Sequence, residues 1–251
     1  MTVKDIYDFL DSIAPFSSQA DWDNSGLIVG DYNAPVKKTV ICLDVTEKEI
    51  SFAKNNDADL IISHHPVIFR PQKKFLSSDP AFLAAANSIN ILCAHTNLDK
   101  AENGVNDTLC KTVFNRFEKI ASPVADGFLN IGYLDKAVSS HDFARHLKDK
   151  LGSDVNYCYG NGVVSKVGVC CGSGSDFIKD AVVFGCDAYL TGDASYHTYL
   201  DSDACGVALF AAGHYDTEIL IVSELQKTLS SVFTETEFIS YSEKSPVLTV
   251  T

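Results

Sequence analysis

"IISHHPVIF", residues 61–69, sets two histidines side by side where an apolar run stops. Neighbouring side chains on a strand point to opposite faces, so packing into one core accounts for one imidazole and not for both. The chain holds seven histidines, and others stand at comparable places. "INILCAH" ends in His95, with Asp99 four residues on, and "GVALFAAG" leads directly into His214. His214 and Glu218 are spaced i, i+4, which on a helix puts an imidazole and a carboxylate on one face, a ready clamp for a divalent metal.

Each feature alone has a plainer explanation. An H-x-x-x-E pair is commonly an exposed pair on a helix, Asp99 could cap the helix that follows it, and a cap or core contact would explain one of His64 and His65. Together they supply three imidazoles and two carboxylates at strand ends, the kind of cluster metal sites require. Five donors exceed what one open catalytic metal takes. Two divalent ions about 3.5–4 Å apart and bridged by a carboxylate use all five. Each ion then takes one imidazole of the His64–His65 pair. Mixed imidazole and carboxylate donors suit Zn, Fe, Mn or Ni alike.

The elements that must position these residues alternate. A first helix begins at Thr2 and Asp5, which resemble a capping pair, with Ile6, Phe9, Leu10 and Ile13 as its apolar stripe. A loop containing "WDNSGLIVG" leads to the strand "KTVICLDVT", and Thr46 and Glu49 form a second capping box. The strand "ADLIIS", the helix "DPAFLAAANS", the strand "INILCAH" and the helix "NGVNDTLCKTVF" follow. After "KIASPVADG" (119–127) the alternation resumes. It runs through the strand "FLNIGYL", the helix "SSHDFARHLKDKLG", the strand "SKVGVCC" and the helix "SDFIKDAVVFG". The strands "CDAYLTG" and "GVALFAAG" then precede one long helix, "HYDTEILIVSELQKTLS".

This pattern predicts an α/β fold with a largely parallel sheet, in which ligands bind beyond the carboxyl ends of the strands. The shared layout of the halves predicts two similar α/β domains, 1–124 and 125–238, the tail 239–251 being left open to return to the first. "CCGSGSD" follows a strand and precedes a helix, where backbone N–H groups can receive a phosphate. It lacks the lysine of a P-loop, and a tight strand-to-helix turn is its default reading.

Composition excludes several classes. Hydrophobic content of 46% is too high for disorder, and no apolar run approaches the roughly 18 residues of a membrane span. "MTVKDIYDFLDSIAPF" carries acidic residues where a signal peptide has a basic region, so the expected compartment is the cytoplasm, with no membrane partner. A net charge of −13 argues against nucleic acid as a partner. Eight cysteines without a C-x-x-C read as reduced thiols, with Cys42, Cys93, Cys170, Cys171 and Cys205 in apolar runs.

"WDNSGLIVG", "LDVT", "SHHPVIF", "AHTNLD", "TGDASYH" and "GHYDTE" resemble, in order, the motifs of the NIF-three-like family (NGG-one-interacting factor three), which includes GTP cyclohydrolase I type 2 homologues. The resemblance runs from about residue 20 to residue 220. It implies two α/β domains facing a cleft, a dinuclear metal centre and a toroidal homohexamer. By motif, His64 and His65 would be ligands from the first domain and Asp99 a bridging ligand, with His214 and Glu218 coming from the second. His95 and His197 match positions near the metals, for which substrate contact or proton transfer is expected. Asp44 of "LDVT" would stand behind a ligand or simply end its strand. At 251 residues there is no room for the domain that some members insert between the halves.

The leading expectation is a metal-dependent hydrolase of nucleotides, in which metal-activated water opens the imidazole ring of guanine in GTP and releases formate. Phosphoester hydrolysis suits the same centre equally well. The non-catalytic alternative is a metal-handling or regulatory ring scaffold.

Overall fold

The structure is a computed structural model of the chain, and it describes residues 1–120 and 124–248. The first stretch contains α1 (Val3–Ile13), β1 (Gly26–Val29), β2 (Lys38–Cys42), α2 (Glu47–Asn55) and β3 (Leu60–Ser63). It continues through α3 (Pro80–Ala86), β4 (Asn90–Cys93) and α4 (Thr96–Lys100). The middle of the chain holds α5 (Val105–Val113), β5 (Arg116–Lys119), β6 (Asn130–Ser139), α6 (Ser140–Leu151), β7 (Asn156–Tyr157) and β8 (Val163–Val169). Then come α7 (Ile178–Val183), β9 (Ala188–Thr191), α8 (Tyr196–Ala204), β10 (Ala208–Ala211) and α9 (His214–Glu218). The last elements are α10 (Leu220–Val232) and β11 (Glu237–Ser240).

The fold is mixed α/β with two sheets, and the chain forms two compact units. The first comprises Met1–Glu102 and Ile221–Glu243; the second is Asn103–Leu220 together with the tail from Lys244. The expected boundary at 119–127 includes residues 121–123, which lie outside the described residues.

The first unit's sheet has the order β1-β4-β3-β2-β11. Strands β4, β3, β2 and β11 run parallel, and only β1 is antiparallel. Both faces of β3 and β4 are buried, as a parallel sheet covered by helices requires. Both expected capping boxes form, Thr2 with Asp5 and Thr46 with Glu49. Val3, Ile6 and Leu10 of α1 are fully buried, each contributing about 1.5–3 kcal/mol by leaving water. β1 lies inside "WDNSGLIVG", expected to be loop; as an antiparallel edge strand it pairs with β4 through an irregular register at Leu27/Val29.

The second unit's sheet has the order β5-β6-β8-β9-β10-β7 and corrects the expectation of a largely parallel architecture. Only β8, β9 and β10 run parallel; β5, β6 and β7 join antiparallel. Alternating apolar residues specify a strand but not the direction of its partner. The single long helix expected from His214 is instead α9 and α10, separated at Ile219. All eight cysteines are thiols outside any disulfide. Cys42, Cys93, Cys170 and Cys171 are buried, whereas Cys205 is exposed because it caps the C-terminus of α8 rather than entering β10. Among the described residues, no helix is long and apolar enough to cross a membrane.

Candidate metal centre

In the first unit, three adjacent parallel strands end on chemically active residues. β2 runs out toward Asp44, β3 into His64 and His65, and β4 into Ala94 and His95. The ladder extends past the strands themselves, since His64 N–H donates to Cys42 O (3.2 Å), His65 N–H to Leu43 O (2.9 Å) and Ala94 N–H to Ser63 O (3.0 Å). The two imidazoles are therefore fixed by sheet backbone rather than by a free loop. His64 is fully buried, and the His65 side chain is 22% exposed.

His64, His65 and His95 each offer a ring nitrogen within 4.8 Å of the others. Asp99, on the one-turn helix α4 that His95 opens, brings Oδ1 to 3.4 Å from His64 Nε2. Two ligands held tetrahedrally at about 2.0–2.1 Å from one ion stand roughly 3.3 Å apart. A direct charge-assisted hydrogen bond would be shorter, about 2.7–2.9 Å. The observed 3.4 Å is close to the spacing of two ligands on one ion.

The other ring nitrogens are all engaged. His65 Nδ1–H donates to Asp44 Oδ1 (2.7 Å), His64 Nδ1–H to Ala94 O (3.0 Å) and His95 Nδ1–H to Asp23 Oδ1 (2.7 Å). Carboxylate and carbonyl oxygens only accept, so the proton belongs on Nδ1 and the neutral ring keeps its lone pair at Nε2. Metal-ligating histidines are commonly oriented in this way by the groups behind them. The Asp23 side chain is fully buried. Burial raises its pKa, but hydrogen bonds from His95 and Thr96 outweigh that and hold the carboxyl well below the usual carboxylate range. Asp23 is thus an anion able to fix the His95 proton.

In the second unit, β8, β9 and β10 end respectively at Cys170–Gly172, Asp193 and His214. His214 Nε2 lies 3.2 Å from Glu218 Oε2 across one turn of α9, again close to the spacing of two ligands on one ion. His214 Nδ1–H donates to Asp193 Oδ2 (2.7 Å), leaving Nε2 as the donor atom. Glu218 is 4% exposed. Gly172 has φ +54°, and a Cβ there would meet Glu218 Oε1 at 2.1 Å and His214 Nε2 at 3.3 Å. The glycine of "CCGSGSD" therefore makes room for the carboxylate. It is held by Cys171 N–H donating to Asn106 Oδ1 (2.7 Å) and by Gly172 N–H donating to the buried Thr217 Oγ1 (3.1 Å).

Of the seven residues singled out by sequence, the first unit brings together His64, His65, His95 and Asp99, and the second joins His214 to Glu218. His197 stands apart, exposed in the first turn of α8 with its ring beside Tyr196 (5.7 Å between centroids). Asp44 does more than end its strand, since it accepts from His65. Asp23 and Asp193 escaped the sequence reading, although each lies inside a segment already singled out for other residues. Gly172 belongs to the turn "CCGSGSD", expected as a tight turn or a phosphate cradle, and here it leaves room for Glu218. Donor chemistry, ligand spacing and the glycine cradle all fit divalent metal.

A family model described as Duf34/NIF3 (NGG1p interacting factor 3) matches residues 1–246. A Clostridium perfringens protein named GTP cyclohydrolase 1 type 2 homolog is 32% identical over 250 residues, 95% of either chain. The Schizosaccharomyces pombe protein NIF3 homolog is 31% identical over 221 residues, 78% of this chain and 77% of that one. Among solved structures, the Staphylococcus aureus hypothetical protein SA1388 superposes with a TM-score of 0.90 at 25% identity, covering 100% of this chain and 99% of that one. Reduced HcgD from Methanocaldococcus jannaschii gives 0.83 at 28% identity, covering 96% and 97%. The chain belongs to the Duf34/NIF3 family.

Proposed function

We propose that the chain is a metal-dependent hydrolase that uses two divalent ions, with His64, His65, Asp99, His214 and Glu218 as ligands. The observation that carries this reading is the common arrangement of the histidines. His64, His65 and His214 each spend Nδ1–H on an oxygen and keep Nε2 for a ligand, and two of them hold a carboxylate at 3.4 and 3.2 Å. Bound there, divalent ions would supply Lewis acidity and a water of lowered pKa.

The chain's own contribution is orientation and proton handling. Asp44 and Asp193 hold His65 and His214 in the Nε2 lone-pair tautomer. Asp23 does the same for His95, whose Nε2 can then take a proton and return it. His197 is the second candidate for proton transfer or substrate contact. The two units are read as copies of one ancestral α/β layout. In each, an aspartate at one strand end receives the imidazole proton of a histidine 21 residues later.

For the substrate, the names of relatives support a nucleotide, with hydrolytic opening of the guanine imidazole ring of GTP and release of formate. The test combines metal analysis of native protein with turnover assays for formate from GTP and for phosphate from nucleotides and simple phosphoesters. Formate release supports the full reading. Phosphate without formate keeps the hydrolase and discards the cyclohydrolase. Metal without turnover under Zn, Mn, Fe or Ni moves the assignment to a metal-handling scaffold. A hexameric ring belongs to the same proposal, and light scattering should then report the mass of six chains.

A further inference from the structure

Trp22 is the chain's single tryptophan, and 60% of it is exposed. An indole left in water forgoes the burial that stabilises other large aromatic side chains. Yet the loop that carries it is held on both sides. On one side Asp23 accepts from His95 Nδ1–H (2.7 Å) and from the backbone and hydroxyl of Thr96. On the other, Asn24 Nδ2 donates to Ile68 O (2.7 Å), the residue before Phe69. His95 N–H also donates to Ser25 Oγ (3.1 Å). The result is a rigidly presented, uncovered ring.

Phe69 is 45% exposed and packs on Trp22, with ring centroids 5.7 Å apart and an interplanar angle of 54°. Both rings adjoin His95, at 6.1 and 6.2 Å. The rings touch one another too closely to enclose anything between them; what they offer is their outer faces, next to an imidazole of the candidate centre. Beyond Phe69 the chain reads "RPQKK", with Arg70, Lys73 and Lys74 all exposed. Three cations in five residues are out of character for a chain of net charge −13.

We propose that Trp22 and Phe69 form a stacking platform for the planar heteroaromatic ring of an anionic ligand, a nucleotide, with Arg70, Lys73 and Lys74 attracting its phosphate. This deepens the hydrolase reading and rests on it for the position of the platform beside the reacting groups. Aromatic side chains stack bases of any sequence, because every base has a π-face. Arginine and lysine supply positive charge that a chain of net charge −13 otherwise has little of.

Trp22 itself reports on the platform through its fluorescence. Guanosine monophosphate should quench it saturably, guanosine should do so more weakly, and ribose 5-phosphate should not, with or without added Zn²⁺. By calorimetry, Trp22→Ala and Phe69→Ala should each weaken guanosine monophosphate binding about tenfold, and Trp22→Phe should restore most of it. Neither side chain belongs to the buried core, so the variants should fold. Absence of saturable quenching overturns the platform, as does a wild-type nucleotide affinity in Trp22→Ala. Quenching that tracks protein concentration instead of nucleotide also overturns it, in favour of a second copy covering the rings. Elemental analysis separates this proposal from the metal reading. Variants that keep their metal and their nucleotide affinity sink the platform alone, while a wild-type protein that binds no metal sinks the centre and leaves the quenching to be judged by itself.

Discussion

Asp193 Oδ2 accepts the Nδ1–H of His214 at 2.7 Å, from a strand end 21 residues earlier in the chain. Asp44 stands to His65 at the same distance and the same sequence separation. Each pair spans one strand–helix–strand unit, β9-α8-β10 in one case and β2-α2-β3 in the other. Adjacent parallel strands end on the same edge, so the carboxylate from one reaches the imidazole from the next. Groups behind a metal-ligating histidine typically contribute 10–100-fold in metal affinity. Asp44→Ala and Asp193→Ala should therefore weaken Zn²⁺ binding by about that factor, measured by competition with a chromophoric chelator. The asparagine variants, which keep an accepting oxygen, should lose less. Unchanged affinity in both alanine variants would show that the two carboxylates orient nothing a metal depends on.

Gly172→Ala offers a more local test. Left-handed backbone at a residue with a Cβ costs roughly 1–2 kcal/mol, and here the new methyl also meets Glu218 Oε1 at 2.1 Å. Gly152 supplies the control, since it too has positive φ (+72°) but nothing lies within 4 Å of its virtual Cβ. Both variants should lower the melting temperature by a few degrees. Only Gly172→Ala should reduce bound metal, by moving the Glu218 carboxylate. Equal metal content in the two variants would mean that Glu218 is not a ligand.

The candidate donors could be picked out from local pattern alone. His64 and His65 end an apolar run, and His214 and Glu218 have helical spacing. The capping boxes at Thr2 and Thr46 are local patterns and form as read. What orients the donors was not legible in the same way. Asp23 reaches His95 across 72 residues, a contact set by the loop before β1 meeting the end of β4. Strand direction in the second sheet was hidden for a related reason: the apolar residues of β6 and β8 mark strands, while the antiparallel pairing of the two is set by the path of the chain between them. The repeated 21-residue spacing of aspartate and histidine was present in the sequence and becomes a signal only once both members are known to touch.

Asp23 also predicts a pH dependence. Its folded pKa lies below the unfolded value of about 3.9, so its contribution to stability is present above that value and is lost as pH falls through the folded pKa. Asp23→Asn should thus be less stable than wild type by a constant margin above about pH 5, and the margin should shrink below about pH 4. Urea unfolding of chelator-treated protein across this range measures it without competition between protons and metal. A margin that stays constant down to pH 3 would mean that the Asp23 pKa is not lowered by folding and that the margin does not come from its charge.

His95 and His197 are distinguished by their surroundings. His95 is tied through Nδ1 to the buried Asp23 and adjoins His64 and His65, with ring centroids 5.2 and 5.6 Å away. His197 lies exposed at the start of α8, and among the described residues no hydrogen bond orients its ring. A proton-transfer group works when its lone pair is aimed and its tautomer fixed, and positioned general acid–base catalysis contributes about 10²–10⁴-fold. His95→Ala should accordingly cost turnover a factor in that range while metal content stays at the wild-type value. His197→Ala should alter KM for the nucleotide more than kcat, as expected of a group that touches substrate without moving its proton. Asp23→Ala, which frees the His95 ring but leaves its nitrogens in place, should fall between wild type and His95→Ala. If instead His197→Ala abolishes turnover and His95→Ala does not, the proton-transfer role belongs to α8, and Asp23 serves only to hold the loop that carries it.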